Sequence, residues 1–123
     1  MREARPDPKF SYLQSKALND QKVIWADIFS STLNLEEKKK VYIEETTNIF
    51  IKYSQDQVIN VRPVIGKNIR ANVASLSSQD LKNYCIDMMR NYSGMFAHAD
   101  IDVETSFRMK EEWYLLEQLE KTL

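Results

Sequence analysis

The chain has 123 residues and a formal net charge of -1 at pH 7, from 17 basic and 18 acidic side chains. This length predicts one domain with one hydrophobic core. The near-neutral charge excludes the global field with which strongly basic proteins gather nucleic acid. The single cysteine excludes an intrachain disulfide or a multi-thiolate metal site.

No apolar run approaches the ~20 residues that span a bilayer, so a protein that is not inserted in a membrane is expected. The opening stretch MREARPDPKF lacks the apolar middle of a signal peptide. It therefore predicts either a cytosolic protein or a mature chain from which a targeting segment has been removed. Only two glycines and three prolines occur, which disfavours a many-turned β fold.

The first nine residues are basic and contain two prolines, which favour extended backbone in the residues before them. They predict an extended arm carrying Arg2, Arg5 and Lys9. Between Phe10 and Leu33 the apolar spacing predicts a short amphipathic helix with a stripe of Val23, Ile24, Trp25, Ile28 and Phe29.

The next helix is predicted from Leu35 to Ser54, with Asn34 as its N-cap and Glu37 completing a capping box. Its apolar stripe comprises Tyr42, Ile43, Thr46, Ile49, Phe50 and Tyr53. The three consecutive lysines at 38–40 are interpreted as solvated surface, because charged helix faces outside a binding site usually face water.

The stretch NVRPVIGKNIRANVASL, residues 60–76, predicts a helix with separate apolar and basic faces. Pro63 fits its first turn if Asn60 is the cap. The basic residues are Arg62, Lys67 and Arg70, and no acidic residue occurs in the stretch. They are either the solvated side of a core helix or a docking surface. The last part of the chain is acidic, with seven acidic and three basic residues over 100–123, so electrically distinct sides are expected.

Two further helices complete the pattern. One has Ser77 or Ser78 as its N-cap, runs to Ala99 and is interrupted late by Gly94. The other has Asp100 or Asp102 as its N-cap. Their predicted core stripes are Leu81, Tyr84, Cys85, Met88, Tyr92, Met95, Phe96 and Ala99, and then Met109, Trp113, Leu116, Leu119 and Leu123.

Four helices of about 20 residues joined by short connections favour antiparallel neighbours. The sequence therefore predicts an all-α fold. Residues 35–123 would form an up-down-up-down four-helix bundle, and residues 1–34 a partly helical N-terminal arm packed on the bundle or extending from it.

No motif for catalysis, nucleotide binding or metal binding is present, so neither an enzyme nor a cofactor is expected. Cys85 lies on an apolar stripe, where a thiol is usually a small buried hydrophobe. His98 is the only histidine, and near a helix C-terminus it is interpreted as a terminus-stabilising or surface group.

The order of the four helices, the stretch NVRPVIGKNIRANVASL and the closing YLLEQLEKTL resemble the PsbQ-like extrinsic proteins of photosystem II. The resemblance implies a four-helix bundle in the chloroplast thylakoid lumen, peripheral to the membrane, without cofactor or catalytic activity. It also implies that Arg62 and Arg70 dock on the photosystem II core or its other extrinsic subunits. The short RPDP segment and the lack of a tryptophan opening the second bundle helix are departures. They suggest a divergent algal-type relative, a related assembly factor or an unrelated bundle.

From charge alone, Lys67 would join Arg62 and Arg70 in contacting acidic groups of the partner, and Arg2, Arg5 and Lys9 would extend the contact. The alternative is a cytosolic adaptor, chaperone or regulator that binds a protein through an apolar groove.

Overall fold

The computed structural model describes residues 8–53, 61–95 and 102–123. These ranges contain five helices and no strand, which confirms the all-α prediction. The helices are α1 (Pro8–Ser30), α2 (Leu35–Lys52), α3 (Arg62–Val73), α4 (Ser78–Met95) and α5 (Val103–Glu120).

Three of the helix starts follow from the capping residues. Asn34 and Glu37 form the predicted capping box, in which each side chain accepts a hydrogen bond from the backbone N–H of the other. Ser77 accepts from the N–H of Asp80 at 3.1 Å, and Asp102 accepts from the N–H of Thr105 at 2.7 Å. These bonds satisfy N–H groups that have no partner within the helix and so fix where each helix begins.

The helices are less equal in length than predicted. α3 has 12 residues, whereas α2, α4 and α5 have 18 each and α1 has 23. Pro63 lies in the first turn of α3, where its missing N–H costs nothing. The predicted cap Asn60 lies outside the described residues, and Val61 at the N-cap makes no side-chain capping bond.

α5 is the central helix of the described structure, since it packs against α1, α2 and α4, whereas α3 packs mainly on α2. Its Met109, Leu115, Leu116 and Leu119 are at most 1% exposed. Leu115 was absent from the predicted stripe. A helix that contacts neighbours on several sides has no single apolar stripe, so the spacing of its residues understates its burial.

α1 has 23 residues, so it is longer than the short helix that the sequence predicted. Trp25 and Phe29 are 2% and 1% exposed, and the helix packs mainly on α5. The Trp25 indole N–H donates to Glu45 of α2 at 2.9 Å. Val23 and Ile24 belonged to the predicted apolar stripe but face outward, 61% and 51% exposed.

Candidate functional site

The basic face of α3 is exposed. Arg62, Lys67 and Arg70 are all accessible to solvent, while Ile69 and Val73 are buried on the other side of the helix. The three basic residues and these two buried apolar residues therefore lie on different sides of the helix, as predicted, but Val61 and Val64 are also exposed, at 39% and 56%. None of the three basic side chains forms a salt bridge with an acidic side chain in the described ranges.

α3 is held on α2 along its inner face. A Cβ added to Gly66 would lie 3.7 Å from the hydroxyl oxygen of Thr47, which is ordinary van der Waals contact. Gly66 therefore lies at the α2–α3 contact, where the space would also accept alanine. A Cβ added to Gly94 would meet no atom within 4 Å, so no close helix contact is found there among the described residues.

The interpretation of residues 38–40 as solvated surface was wrong for two of the three lysines. Lys39 is 4% exposed, and its ammonium group donates to the carbonyl of Ala74 at 3.0 Å. Lys38 is half-buried and donates to the carbonyl of Thr122 at 2.6 Å. Both carbonyls lie just after a helix, where backbone acceptors lack intrahelical partners. Sequence spacing could not reveal this role, because the acceptors are distant along the chain.

Two acidic residues of α5 are buried, so the acidic end of the chain is less exposed than its charge count predicted. Glu111 is 7% exposed and accepts hydrogen bonds from Lys52 at 2.7 Å and from the Tyr53 hydroxyl at 2.5 Å. Burial raises the pKa of Tyr53, and the Glu111 carboxylate raises it further. These contacts join α2 to α5.

Glu112 is the more deeply buried carboxylate, at 4% exposed. It accepts a hydrogen bond from the Tyr92 hydroxyl at 3.1 Å and forms a salt bridge with Arg108. The Arg108 guanidinium also lies over the Phe50 ring, 4.5 Å from its centroid. Burial raises the pKa of Glu112 to about 7, although Arg108 and the hydrogen bond from Tyr92 oppose the rise. The group therefore links α2, α4 and α5 through a pH-dependent contact.

Replacement of Glu112 by glutamine is expected to remove a pH dependence of stability. In the folded chain Glu112 is protonated below about pH 7. In the unfolded chain it is protonated only below its usual pKa of 4.5. The free energy of unfolding of the wild type should therefore fall as pH rises between these values, by on the order of 3 kcal/mol. Urea unfolding over this range should show a clearly flatter profile for Glu112→Gln.

The control for this measurement is Glu44→Gln, because Glu44 is exposed on α2. It should follow the wild-type pH profile. Parallel profiles for the wild type and Glu112→Gln would contradict the role assigned to this carboxylate.

Cys85 lies in the core, 0% exposed, and burial raises its pKa to about 12. The thiol is therefore neutral at physiological pH and packs as the small hydrophobe that its position predicted. His98 lies outside the described residues. So do Arg2, Arg5 and the side chain of Lys9, whose backbone belongs to α1.

Two clefts that are lined by described residues were not predicted from the sequence. One of about 530 Å³ lies at the start of α5 and is lined by Tyr53, Asp102, Val103, Glu104, Thr105 and Arg108. The other, of about 140 Å³, is lined by Gln21, Trp25, Glu45, Asn48, Ile49, Lys52 and Glu111. Among the described residues that line the two clefts, none is a cysteine or a histidine. Among the described residues, no group of three or more histidine, cysteine, aspartate or glutamate side chains is arranged to hold a metal ion.

The surface of α3 also carries an apolar residue that the sequence did not single out. Val64 is 56% exposed, in the same helix as the basic residues. Within the described ranges no helix combines the length and the apolar character needed to cross a membrane. The exposed basic and apolar positions of α3, and Val23 and Ile24 on the outward side of α1, are candidate contact surfaces.

No protein-family model, curated protein or solved structure matches the chain. Its function must therefore be inferred from these surfaces and from the resemblance described above.

Proposed function

We propose that the chain is a non-enzymatic subunit that docks on a larger protein assembly through the basic face of α3. The observation that carries this proposal is the joint exposure of Arg62, Lys67 and Arg70 on a helix whose flanking sequence, residues 61–76, contains no acidic residue. An uninterrupted cluster of exposed positive charge attracts an acidic surface and orients the approach to it.

The specific form of the proposal is an extrinsic subunit of photosystem II in the thylakoid lumen, similar to PsbQ. It would support the oxygen-evolving centre by covering lumenal surfaces of the complex, and it would itself hold no cofactor. Arg2, Arg5 and Lys9 would add a second basic contact. In this proposal, α2 to α5 form the up-down-up-down bundle and α1 packs on it. The all-helical fold, the exposure of Arg62 and Arg70, and the sequence resemblance support it.

The test is co-sedimentation with salt-washed photosystem II membranes at low and high ionic strength. Wild-type binding should saturate and should weaken with salt, because exposed charges are screened beyond ~8 to 10 Å at ordinary ionic strength. The double variant Arg62→Glu and Arg70→Glu should bind at least about tenfold more weakly, because like charges would then face each other.

A matched control carries the same change of net charge elsewhere. Lys40 and Arg90 are exposed on α2 and α4, and the double variant Lys40→Glu and Arg90→Glu should keep wild-type binding. Equal loss in both variants would indicate a response to net charge alone. Unchanged binding of the Arg62 and Arg70 variant would overturn the proposed site.

A second candidate function is a cytosolic adaptor that binds its partner through an apolar surface. The observation that favours it is the exposure of Val23 and Ile24, since exposed apolar groups often mark protein contacts. If this candidate is right, the Val23→Ser and Ile24→Ser double variant should lose partner binding. The Arg62→Glu and Arg70→Glu double variant should keep it. The two sets of substitutions thus separate the candidates.

A further inference from the structure

The outward face of α1 carries an apolar pair between two acidic residues. Val23 and Ile24 are 61% and 51% exposed, and Asp20 and Asp27 are exposed about one turn to either side. Positions related by three, four and seven residues share one face of a helix. Lys16 is exposed one turn earlier. We call Asp20, Val23, Ile24 and Asp27 the α1 face.

Contacts on the inner side of α1 hold this face outward. Lys22 pairs with Glu117 of α5 at 3.5 Å and lies 4.9 Å from the centroid of the Tyr114 ring. Trp25 is buried, and its indole N–H donates a hydrogen bond to Glu45 of α2. The α1 face therefore lies on a helix that contacts two neighbours, and more than half of each of its two apolar side chains remains exposed.

α3 presents a surface of complementary character. Val64, Lys67 and Ala71 are exposed at positions related by three and seven residues, and exposed Arg70 lies beside them. We call these four residues the α3 face. It combines apolar groups with positive charge, whereas the α1 face combines apolar groups with negative charge. Apolar contact between them would bring opposite charges together at its edges.

We propose that the α1 face of one molecule docks on the α3 face of a second copy of the same chain. α1 packs mainly on α5 and α3 mainly on α2, and both faces are exposed, so the contact between them is one between molecules. In a two-fold dimer each molecule would use both faces, and the assembly would be closed. Any other arrangement leaves one of each face free in a dimer, and association then continues to a larger ring or an open chain.

The strength and the consequence of this contact follow from its size. Two short helix faces bury less than the roughly 1,000 Å² of a stable interface, so the association is weak and sensitive to salt. It covers Lys67 and Arg70, which the proposed function assigns to partner docking, so self-association and docking compete. The self-association itself does not rest on the proposed function, because its test contains only this protein.

Sedimentation velocity of the full chain, from low micromolar to near-millimolar concentration, tests the contact. At low salt the average mass should rise with concentration, and at high salt the chain should stay monomeric. A chain that is monomeric throughout at low salt would overturn the proposal. So would self-association that is indifferent to salt.

Charge exchange identifies the two faces. Asp20→Lys with Asp27→Lys makes both faces basic, and Lys67→Glu with Arg70→Glu makes both acidic. Each variant alone should lose self-association, with an association constant at least about tenfold lower. A mixture of the two should regain it, because each then offers a complementary face to the other. Failure of the mixture to associate, or wild-type association in either variant alone, would overturn the assignment. All four positions are exposed, and circular dichroism would verify that both variants are folded.

Discussion

Replacement of Leu115 by alanine is expected to destabilise the protein by about 2–5 kcal/mol, the range for truncating a fully buried leucine. Leu115 is 0% exposed on α5, the helix that contacts α1, α2 and α4. The lost methyl groups would leave a cavity in the middle of the core, which the surrounding helices can fill only in part. Because a domain of this size is stable by roughly 5–15 kcal/mol in total, the effect is large.

The measurement is urea unfolding followed by circular dichroism, with Lys110→Ala as the control on the same helix. Lys110 is exposed, so its truncation should change the free energy of unfolding by less than about 0.5 kcal/mol. A similar small effect for Leu115→Ala would show that α5 is not the central helix.

Replacement of Phe29 by alanine is expected to cost about 3–5 kcal/mol. Phe29 is 1% exposed on α1, in the segment that the sequence predicted to be an arm. If α1 belongs to the core, the whole chain should unfold in one transition, and the midpoint of that transition should move in the variant. Ile24→Ala is the matched control, because Ile24 lies on the outward side of the same helix and is 51% exposed.

Fluorescence of Trp25 and Trp113 gives a probe in α1 and another in α5 for the same experiment. Coincident transitions for single-tryptophan variants would support one cooperative unit. An early transition at Trp25 that leaves the transition at Trp113 unchanged would instead support the predicted division into an arm, 1–34, and a bundle, 35–123.

The sequence predicted the start of helices where a local hydrogen bond determines it. Asn34 was proposed as a cap, and Ser77 and Asp102 were each one of two proposed caps; each of the three accepts a hydrogen bond from the backbone N–H three residues later. Such bonds join residues three apart and can be read directly from the chain. The end of α3 after only 12 residues was harder to predict, because the spacing of apolar residues continues to Leu76.

Burial of charged residues could not be predicted in the same way. Lys39, Glu111 and Glu112 are buried, and each has a partner distant along the chain, namely the Ala74 carbonyl, Lys52 and Tyr92. Local patterns assign such residues to solvent, and only the packing of the helices against one another reveals the contacts.

The candidate site was predictable in part. The separation of basic and apolar residues on α3 follows from helical spacing alone, and the exposure of Arg62, Lys67 and Arg70 agrees with it. The outward orientation of Val23 and Ile24 did not follow, since the same spacing equally favoured burying them. Which side of α1 faces the core depends on how Trp25 and Phe29 pack against the neighbouring helices.

Site-specific photo-crosslinking tests whether the exposed side of α3 docks on photosystem II. A photoreactive amino acid would replace Ala71, exposed on the α3 face, or Asn91, exposed on α4 as the control. Each protein would be bound to salt-washed photosystem II membranes at low salt and irradiated. We expect a crosslink to a subunit of the complex from position 71 that disappears at high salt, and none from position 91. A bound protein that crosslinks from position 91 and not from 71, or that fails to bind at all, would contradict it.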